Sequence, residues 1–313
     1  MNKEFEMKYY IAIPTYNGGK IWEQAVANIK ENAPADVFVH VIDSSSKDNT
    51  VAISEQAGFD VLTIAGNDFN HGGTRNKAVE KYIDHYDVVI FLTQDAIPQP
   101  NFIKEILSVF SDDSIACAYG RQLPHSDANP LAKHARSFSY PEKGYICGIK
   151  NIPEMGLKTV FMSNSFSAYR LSVFRELGGF PSNTILCEDM FFTAKAVLAG
   201  HKVAYVAKAE VKHSHNYTPY EEFRRYFDIG VFHKDEPWIR QNVGSAGGEG
   251  KKFIFSELKF LLKESPHWIP IACINNFMKI VGYKLGQRYE KLPKKMIKLF
   301  SMHKRYWDKE FYS

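Results

Sequence analysis

The run Val88-Val-Ile-Phe-Leu-Thr-Gln-Asp-Ala-Ile-Pro98 decides how the rest of the chain is read. Its first five residues, Val88 to Leu92, are all apolar. A half-exposed strand would alternate apolar with polar side chains, so this one reads as a strand buried on both faces. The run stops at Thr93-Gln94-Asp95, which delivers a carboxylate to the carboxyl edge of a sheet. Open α/β folds bind their ligands at that edge. Pro98 and Pro100 then break the strand ahead of a helix starting at Asn101. A lone acid here can also be a simple turn cap, and the flanking sequence has to decide between the two.

Working outward, segments 8–14, 37–42 and 61–64 read as strands, with helices at 20–32, 48–57 and 74–85 between them. Asp48 is the expected N-cap of the second helix, and Gly58 follows it at the C′ position. Strand and helix alternating in this way signal a parallel, doubly wound sheet. Three strands then end in polar residues at one edge: Thr15-Tyr16-Asn17, Asp43-Ser44 and Thr93-Gln94-Asp95. Farther on, 102–110 reads as helix and 115–120 as strand. Segment 126–158 is mixed and glycine- and proline-containing, and is expected to wall the site. Segment 159–170 is extended and leads into a short helix that ends at Gly178-Gly179-Phe180-Pro181. Segments 187–200 and 218–232 read as helices on either side of a strand at 202–206.

The chain has 313 residues and is 45% hydrophobic, enough for a large core. Cys117, Cys147, Cys187 and Cys273 form no CxxC pair, which argues against a zinc site or a disulfide framework and fits a reducing compartment. The first residues, Met1 to Met7, are polar, so no secretory leader is expected, and no apolar run is long enough for a membrane-spanning helix. The net charge of +4 hides an asymmetry: from Lys251 onward there are 14 Lys/Arg against 5 Asp/Glu, while the preceding residues carry a net −5. No nucleic-acid partner is expected.

Neither GxGxxG after the first strand nor GxxxxGK[ST] occurs, so dinucleotide and P-loop readings lose their main support. Asp43, ending the second strand, can accept hydrogen bonds from a ribose or base, or can cap the next turn. His71-Gly-Gly-Thr-Arg-Asn76 opens a helix with two glycines and Arg75, a combination that suits a phosphate. Glu188 and Asp189 stand in the first turn of their helix, where the dipole favours acids and where a carboxylate can take a proton from a hydroxyl. His213 and His215 alternate at strand spacing, so both can face one side and serve as metal ligands.

Together these pieces resemble the family 2 glycosyltransferases of the GT-A fold. The resemblance runs from about Lys8 to Tyr217 and rests on Ile13-Pro-Thr-Tyr-Asn17, Val41-Ile-Asp-Ser-Ser45, Gly73-Thr-Arg-Asn76, Thr93-Gln94-Asp95, the stretch from Tyr169 to Phe180, and Glu188-Asp189. Phe69-Asn-His-Gly-Gly-Thr-Arg-Asn76, Phe91-Leu-Thr-Gln-Asp-Ala96 and His213-Ser-His-Asn216 look most like bacterial rhamnosyltransferases that use dTDP-L-rhamnose. The family's metal motif is usually Asp-x-Asp; here Thr93 stands at the first acid and only Asp95 matches.

The resemblance implies a doubly wound mixed α/β sheet and an inverting transfer, with Asp189 as catalytic base and Glu188 beside it. It implies Mg²⁺ or Mn²⁺ on Asp95 and His213, with His215 as second choice. It also implies donor contacts from Pro14, Tyr16, Asn17, Asp43, Arg75, Asn76, Gln94 and Asp95. The partners implied are a nucleotide-sugar donor and a saccharide or lipid-linked saccharide acceptor. Alternatives are a UDP- or GDP-sugar donor on the same fold, or a non-catalytic sugar-nucleotide-binding assembly protein.

The expected domains are a catalytic unit at 1–243 and a basic amphipathic helical extension at 244–313, joined by the glycine-rich stretch 244–250. Lysines flank Ile254, Leu258, Leu261 and Leu262, and again Met296, Ile297, Leu299 and Phe300. Basic amphipathic helices favour an anionic membrane surface, which places the protein in the cytoplasm at the inner membrane face. The competing expectation is that the extension packs on the main domain or on a second copy in a homo-oligomer.

Overall fold

Alternate side chains of the central strand leave the sheet on opposite sides, and both sides are covered. Val89 and Phe91 join Tyr10 and Ala12 in one core, and Val88, Ile90 and Leu92 join Ile11 and Ile13 in the other. The computed structural model describes residues 7–245 and 248–312. The expectations for Met1 to Glu6, and for the Ala246-Gly247 part of the glycine-rich stretch, lie outside the described residues.

Among the described residues the sheet has nine strands. These are β1 Tyr9–Thr15, β2 Val39–Asp43, β3 Asp60–Thr63, β4 Val88–Leu92, β5 Ile97–Pro98, β6 Ile115–Leu123, β7 Tyr145–Cys147, β8 Phe166–Arg170 and β9 Lys202–Lys212. Their order is β3-β2-β1-β4-β8-β6-β9-β5, with β7 paired to β9. The first four strands are parallel, as the alternation of strand and helix requires. From there the sheet is mixed: β8 runs antiparallel between β4 and β6. The sheet is therefore mixed, as the resemblance implies, with the run of four parallel strands confined to those read from the alternation. The alternating signal comes from short crossovers, and β8 returns to the sheet from a long irregular segment with no crossover pattern of its own.

The helix Gly19–Asn32 buries Trp22, Ala25, Val26 and Ile29, one face at helical spacing, against the core that holds Val88. On the other side, the helices His71–Glu80 and Glu188–Leu198 contribute Ala78, Val79, Phe192 and Ala196. Each of these larger apolar side chains gains about 1.5–3 kcal/mol from full burial.

The extension is packed on this body. The helix Ile269–Gly286 crosses the helix Pro219–Asp235 at a contact of glycines: a Cβ on Gly282 would lie 2.3 Å from the Phe223 carbonyl oxygen, and one on Gly286 2.0 Å from that of Phe227. Only glycine permits so close an approach of two backbones. Lys279 and Glu222 pair at 3.3 Å beside the crossing. Ile297 and Trp307, far along the extension, lie in the same core as Phe91. Among the described residues, no helix is long and apolar enough to cross a membrane.

Candidate active site

Because β1, β2 and β4 are parallel neighbours, Thr15 to Asn17, Asp43 to Ser46 and Thr93 to Asp95 meet at one sheet edge. Their polar atoms largely bind one another. Asp43 is fully buried and accepts from Thr15 Oγ1 at 3.0 Å, Ser46 N at 2.7 Å and Ser46 Oγ at 2.5 Å. It caps the turn, and its carboxylate does not open toward a ribose. Asn17, at φ 45°, donates its N–H to Ser46 Oγ and accepts from Lys47 N, each at 2.8 Å. Gln94 grips the Tyr16 backbone, accepting from N at 2.7 Å and donating to O at 3.1 Å. Asn76 holds Phe180 in the same way, donating to O at 2.8 Å and accepting from N at 2.9 Å. Pro14 sits inside β1 opposite Ile42. These residues shape the edge, while Tyr16 lines a cavity described below.

The helix with the two glycines also turns inward. A Cβ on Gly72 would fall 1.9 Å from the Pro181 carbonyl oxygen, so this glycine permits a close backbone contact. Arg75 is buried and lies 3.1 Å from Glu188. The guanidinium expected on a phosphate is directed at a carboxylate of the protein.

Asp95 meets both histidines. The pairing of β5 with β9 sets Ile97 opposite Lys212 in antiparallel register, which brings Asp95 to the residues that follow β9. His213 Nε2 is 3.4 Å and His215 Nε2 3.6 Å from Asp95 Oδ2. The three possible donor atoms lie within 4.8 Å of one another.

The tautomer of His213 follows from its neighbours. Its Nδ1 is 2.8 Å from Gln122 Oε1. Arg136, which can only donate, also bonds Oε1, and Gln122 Nε2 donates to Ser163 Oγ at 2.8 Å. The Gln122 amide is thereby oriented, His213 carries its proton on Nδ1, and the lone pair of Nε2 faces the Asp95 carboxylate. A lone pair facing a carboxylate calls for a cation between them, so this donor set fits a divalent metal. Burial pushes the Asp95 carboxyl up; when the imidazoles are protonated, the hydrogen bond and charge of His213, then the charge of His215, outweigh burial and hold the carboxyl below the usual range. Burial, then His213, pushes the His215 imidazole down to about 4.

Cys187, in the left-handed region at φ 58°, turns the chain into the helix that carries Glu188 and Asp189. The two acids have different environments. Burial pushes Glu188 up, but Arg75 and then His71 outweigh it and hold the carboxyl below its ordinary value; Asn164 Nδ2 also donates to Glu188 Oε1 at 2.8 Å. Asp189 is pushed up to about 7, first by burial and then by the charge of Glu188. It accepts from its neighbour Met190 N at 2.7 Å and from Asn164 N at 3.1 Å. Two carboxylates whose environments drive them apart, one ionised and one poised near neutrality, are an acid–base arrangement.

Three consecutive residues tie these parts together. Ser163 accepts from Gln122 behind the histidine, Asn164 donates to Glu188 and Asp189, and Ser165 O accepts from Thr93 N at 3.3 Å. Sequence reasoning saw only an extended segment here. It also missed Gln122 and Arg136, since nothing in the local pattern marks either.

Beside Tyr16 opens a cavity of about 530 Å³, lined by Ser44, Phe69, Asn70 and His71 on one side, by Ser182 to Ile185 on another, and by Met302 to Tyr306 of the extension. Gln94, holding Tyr16, joins this cavity to Asp95 along the chain.

The family model described as Glycosyl transferase family 2 matches residues 10–178. The chain is 54% identical over 309 residues to the O-antigen chain rhamnosyltransferase RfbN of Salmonella typhimurium (strain LT2), covering 98% of each. It is 50% identical over 310 residues to the O-antigen chain rhamnosyltransferase WbaN of Salmonella anatum, covering 97% of each. Among solved structures it is similar to the mannosyltransferase PcManGT from Pyrobaculum calidifontis in complex with GDP-Man and Mn²⁺, with a TM-score of 0.55 and 16% identity, covering 97% of this chain and 86% of that one. It is also similar to S. aureus TarS 1-349 in complex with UDP-GlcNAc, with a TM-score of 0.53 and 15% identity, covering 91% and 92%. The sheet, the paired acids at a helix start and these likenesses agree: the chain belongs to glycosyltransferase family 2, as an enzyme of the GT-A fold.

Proposed function

We propose that the enzyme transfers L-rhamnose from dTDP-β-L-rhamnose to a saccharide acceptor, lipid-linked, in the assembly of a cell-surface polysaccharide, with inversion at the anomeric carbon. The observation that carries the choice of sugar is the half-identity over nearly the whole chain to two O-antigen rhamnosyltransferases.

Asp189, poised at about 7, takes the proton from the acceptor hydroxyl as that oxygen bonds to the anomeric carbon. The bond from that carbon to the diphosphate oxygen breaks, and dTDP leaves with the electron pair. Glu188, kept ionised by Arg75, sustains the basicity of Asp189. Asp95 and His213, with His215 beside them, would hold Mg²⁺ or Mn²⁺, which when bound offsets charge on the diphosphate. Gln122 keeps the His213 lone pair directed at that position.

The extension supports membrane attachment. Phe255, Leu262 and Phe277 are 72%, 61% and 64% exposed, and Lys251, Lys252, Lys259 and Lys263 are exposed on the helix that carries the first two. Apolar groups among lysines match an anionic leaflet. We propose that this face rests on the cytoplasmic membrane surface, near a lipid-linked acceptor.

The deciding experiment offers the purified enzyme dTDP-rhamnose and a panel of UDP- and GDP-sugars, with a lipid-linked acceptor and Mg²⁺ or Mn²⁺, and measures nucleoside diphosphate release and product mass. Rhamnosyl product from the dTDP donor is the expected result. Turnover confined to a UDP- or GDP-sugar would overturn the choice of donor and leave the family intact.

A further inference from the structure

The cavity beside Tyr16 is completed by a part of the chain that sequence reading set apart from the catalytic unit. Met302 to Tyr306 form one of its walls. That wall is fixed in place. Asp228, on the helix Pro219–Asp235, accepts from Met302 N at 2.8 Å and His303 N at 3.2 Å. Arg224 of the same helix donates to Ser301 O at 2.9 Å and 2.6 Å. His303 closes on His71 across the cavity floor, with Nδ1 and Nε2 3.3 Å apart.

Beyond this clamp the chain presents two cations in succession. The Arg305 guanidinium stands 5.2 Å from the centroid of the Tyr16 ring, and its arms reach Gly66 O at 3.2 Å and Tyr16 OH at 3.4 Å. Lys304 lines the same wall and is exposed. Neither has a carboxylate partner among the described residues, and no Asp or Glu lines the cavity. A cavity with two cations on one wall, a largely apolar and aromatic lining elsewhere and no acid attracts an anion that also carries a flat apolar group. Its volume is in the range that holds a ligand the size of a nucleotide.

We infer that Lys304 and Arg305 of the extension bind the diphosphate of the nucleoside diphosphate donor, with Arg305 stationed on the Tyr16 ring until the donor arrives. An arginine fork suits two phosphate oxygens at once, and a lysine adds a point charge. Arg75, expected from sequence to meet the phosphates, is engaged with Glu188, so the cations on the cavity wall come from the other end of the chain. This assignment rests on the reading that the cavity takes the donor. It makes the extension a working part of the donor site as well as a surface element.

The test titrates the full chain with dTDP, with thymidine and with inorganic pyrophosphate by calorimetry, comparing wild type with Arg305→Ala, Lys304→Ala and Arg305→Lys. Loss of a charge-assisted contact corresponds to about a tenfold or larger rise in Kd for dTDP. Thymidine affinity should move by less than about twofold. Arg305→Lys should recover part of the loss, because charge returns without the fork. In turnover assays kcat/KM for the donor should fall, with donor KM rising alongside Kd. Both side chains are exposed, so thermal melts should stay unchanged. Wild-type dTDP affinity in both alanine variants would overturn the inference. Equal losses for thymidine and dTDP would overturn the diphosphate assignment in favour of a purely shaping role. If wild type binds UDP or GDP and ignores dTDP, the donor reading fails separately, and the same variants tested with that nucleotide still decide the role of the two cations. Pyrophosphate that weakens dTDP binding in wild type alone ties the loss to the diphosphate; equal competition in wild type and variants refutes it.

Discussion

Glu188→Gln separates the two neighbouring carboxylates. Asp189 stands at about 7 against an ordinary 3.8, through burial first and the charge of Glu188 second. Glutamine keeps the shape of the side chain, and its carbonyl can still accept from Asn164 and Arg75, but the charge is gone. With less negative charge beside it, Asp189 ionises more easily, so its pKa falls. The acid limb of kcat/KM against pH, which reports the base of the free enzyme, should move from near 7 to lower pH. The plateau should fall several-fold, because a weaker base accepts the proton less readily. Arg75 is left without a full countercharge, which costs up to about 3–5 kcal/mol where nothing relieves it. Initial rates over a pH series in constant-ionic-strength buffer, with melts at each pH, measure both effects. An acid limb that stays at its wild-type position in a folded variant would refute the claim that Glu188 sets the basicity of Asp189.

Asp189→Asn keeps size and hydrogen bonding, and should lower kcat by about 10²–10⁴-fold with donor affinity unchanged; turnover within threefold of wild type in a well-folded variant removes Asp189 as the base. Asp95→Ala should abolish metal-dependent nucleotide binding, seen as loss of Mn²⁺ binding by calorimetry in the presence of dTDP, and full activity after exhaustive EDTA treatment would sink the metal reading. His213→Ala should weaken Mn²⁺ binding more than His215→Ala, because Gln122 orients His213 alone; the reverse order would reassign the second ligand. Full-length protein should sediment with anionic vesicles at low salt and be released as salt rises, while Phe255→Ser combined with Phe277→Ser should sediment less. Equal sedimentation of both, or none, would leave the exposed face to contacts between copies of the chain.

What sequence could reveal here was local. The five apolar residues ahead of Thr93 identify β4 because only a strand covered on both sides tolerates them. The first four parallel strands follow from alternation. The shared edge follows from the parallel arrangement, and the two histidines from spacing. Asp43, Asn17, Gln94 and Asn76 were recognised as special, yet their side chains hold turns and neighbouring backbone, because a polar residue at a sheet edge can serve the edge itself as readily as a ligand. The direction of β8, the linking role of Ser163 to Ser165, and the pairing of Arg75 with Glu188 depend on segments far apart in sequence, and no periodicity encodes those meetings. The extension was visible as a basic amphipathic region. That Ile297 and Trp307 are the ones to reach the main core was not, since Met296, Leu299 and Phe300 beside Ile297 are as apolar and only the packed fold selects among them.

Tyr16 and Arg305 stand 289 positions apart, yet their side chains meet over the same cavity. On the ribosome, every strand of the sheet, both paired acids and the two histidines have emerged before residue 302 is added. A nascent chain at that point has its paired carboxylates and its acid–imidazole cluster, but the cavity still lacks a side. The order of synthesis therefore separates the paired acids and the acid–imidazole cluster from the wall that completes the cavity, and the segment Met302 to Tyr306 brings the two together.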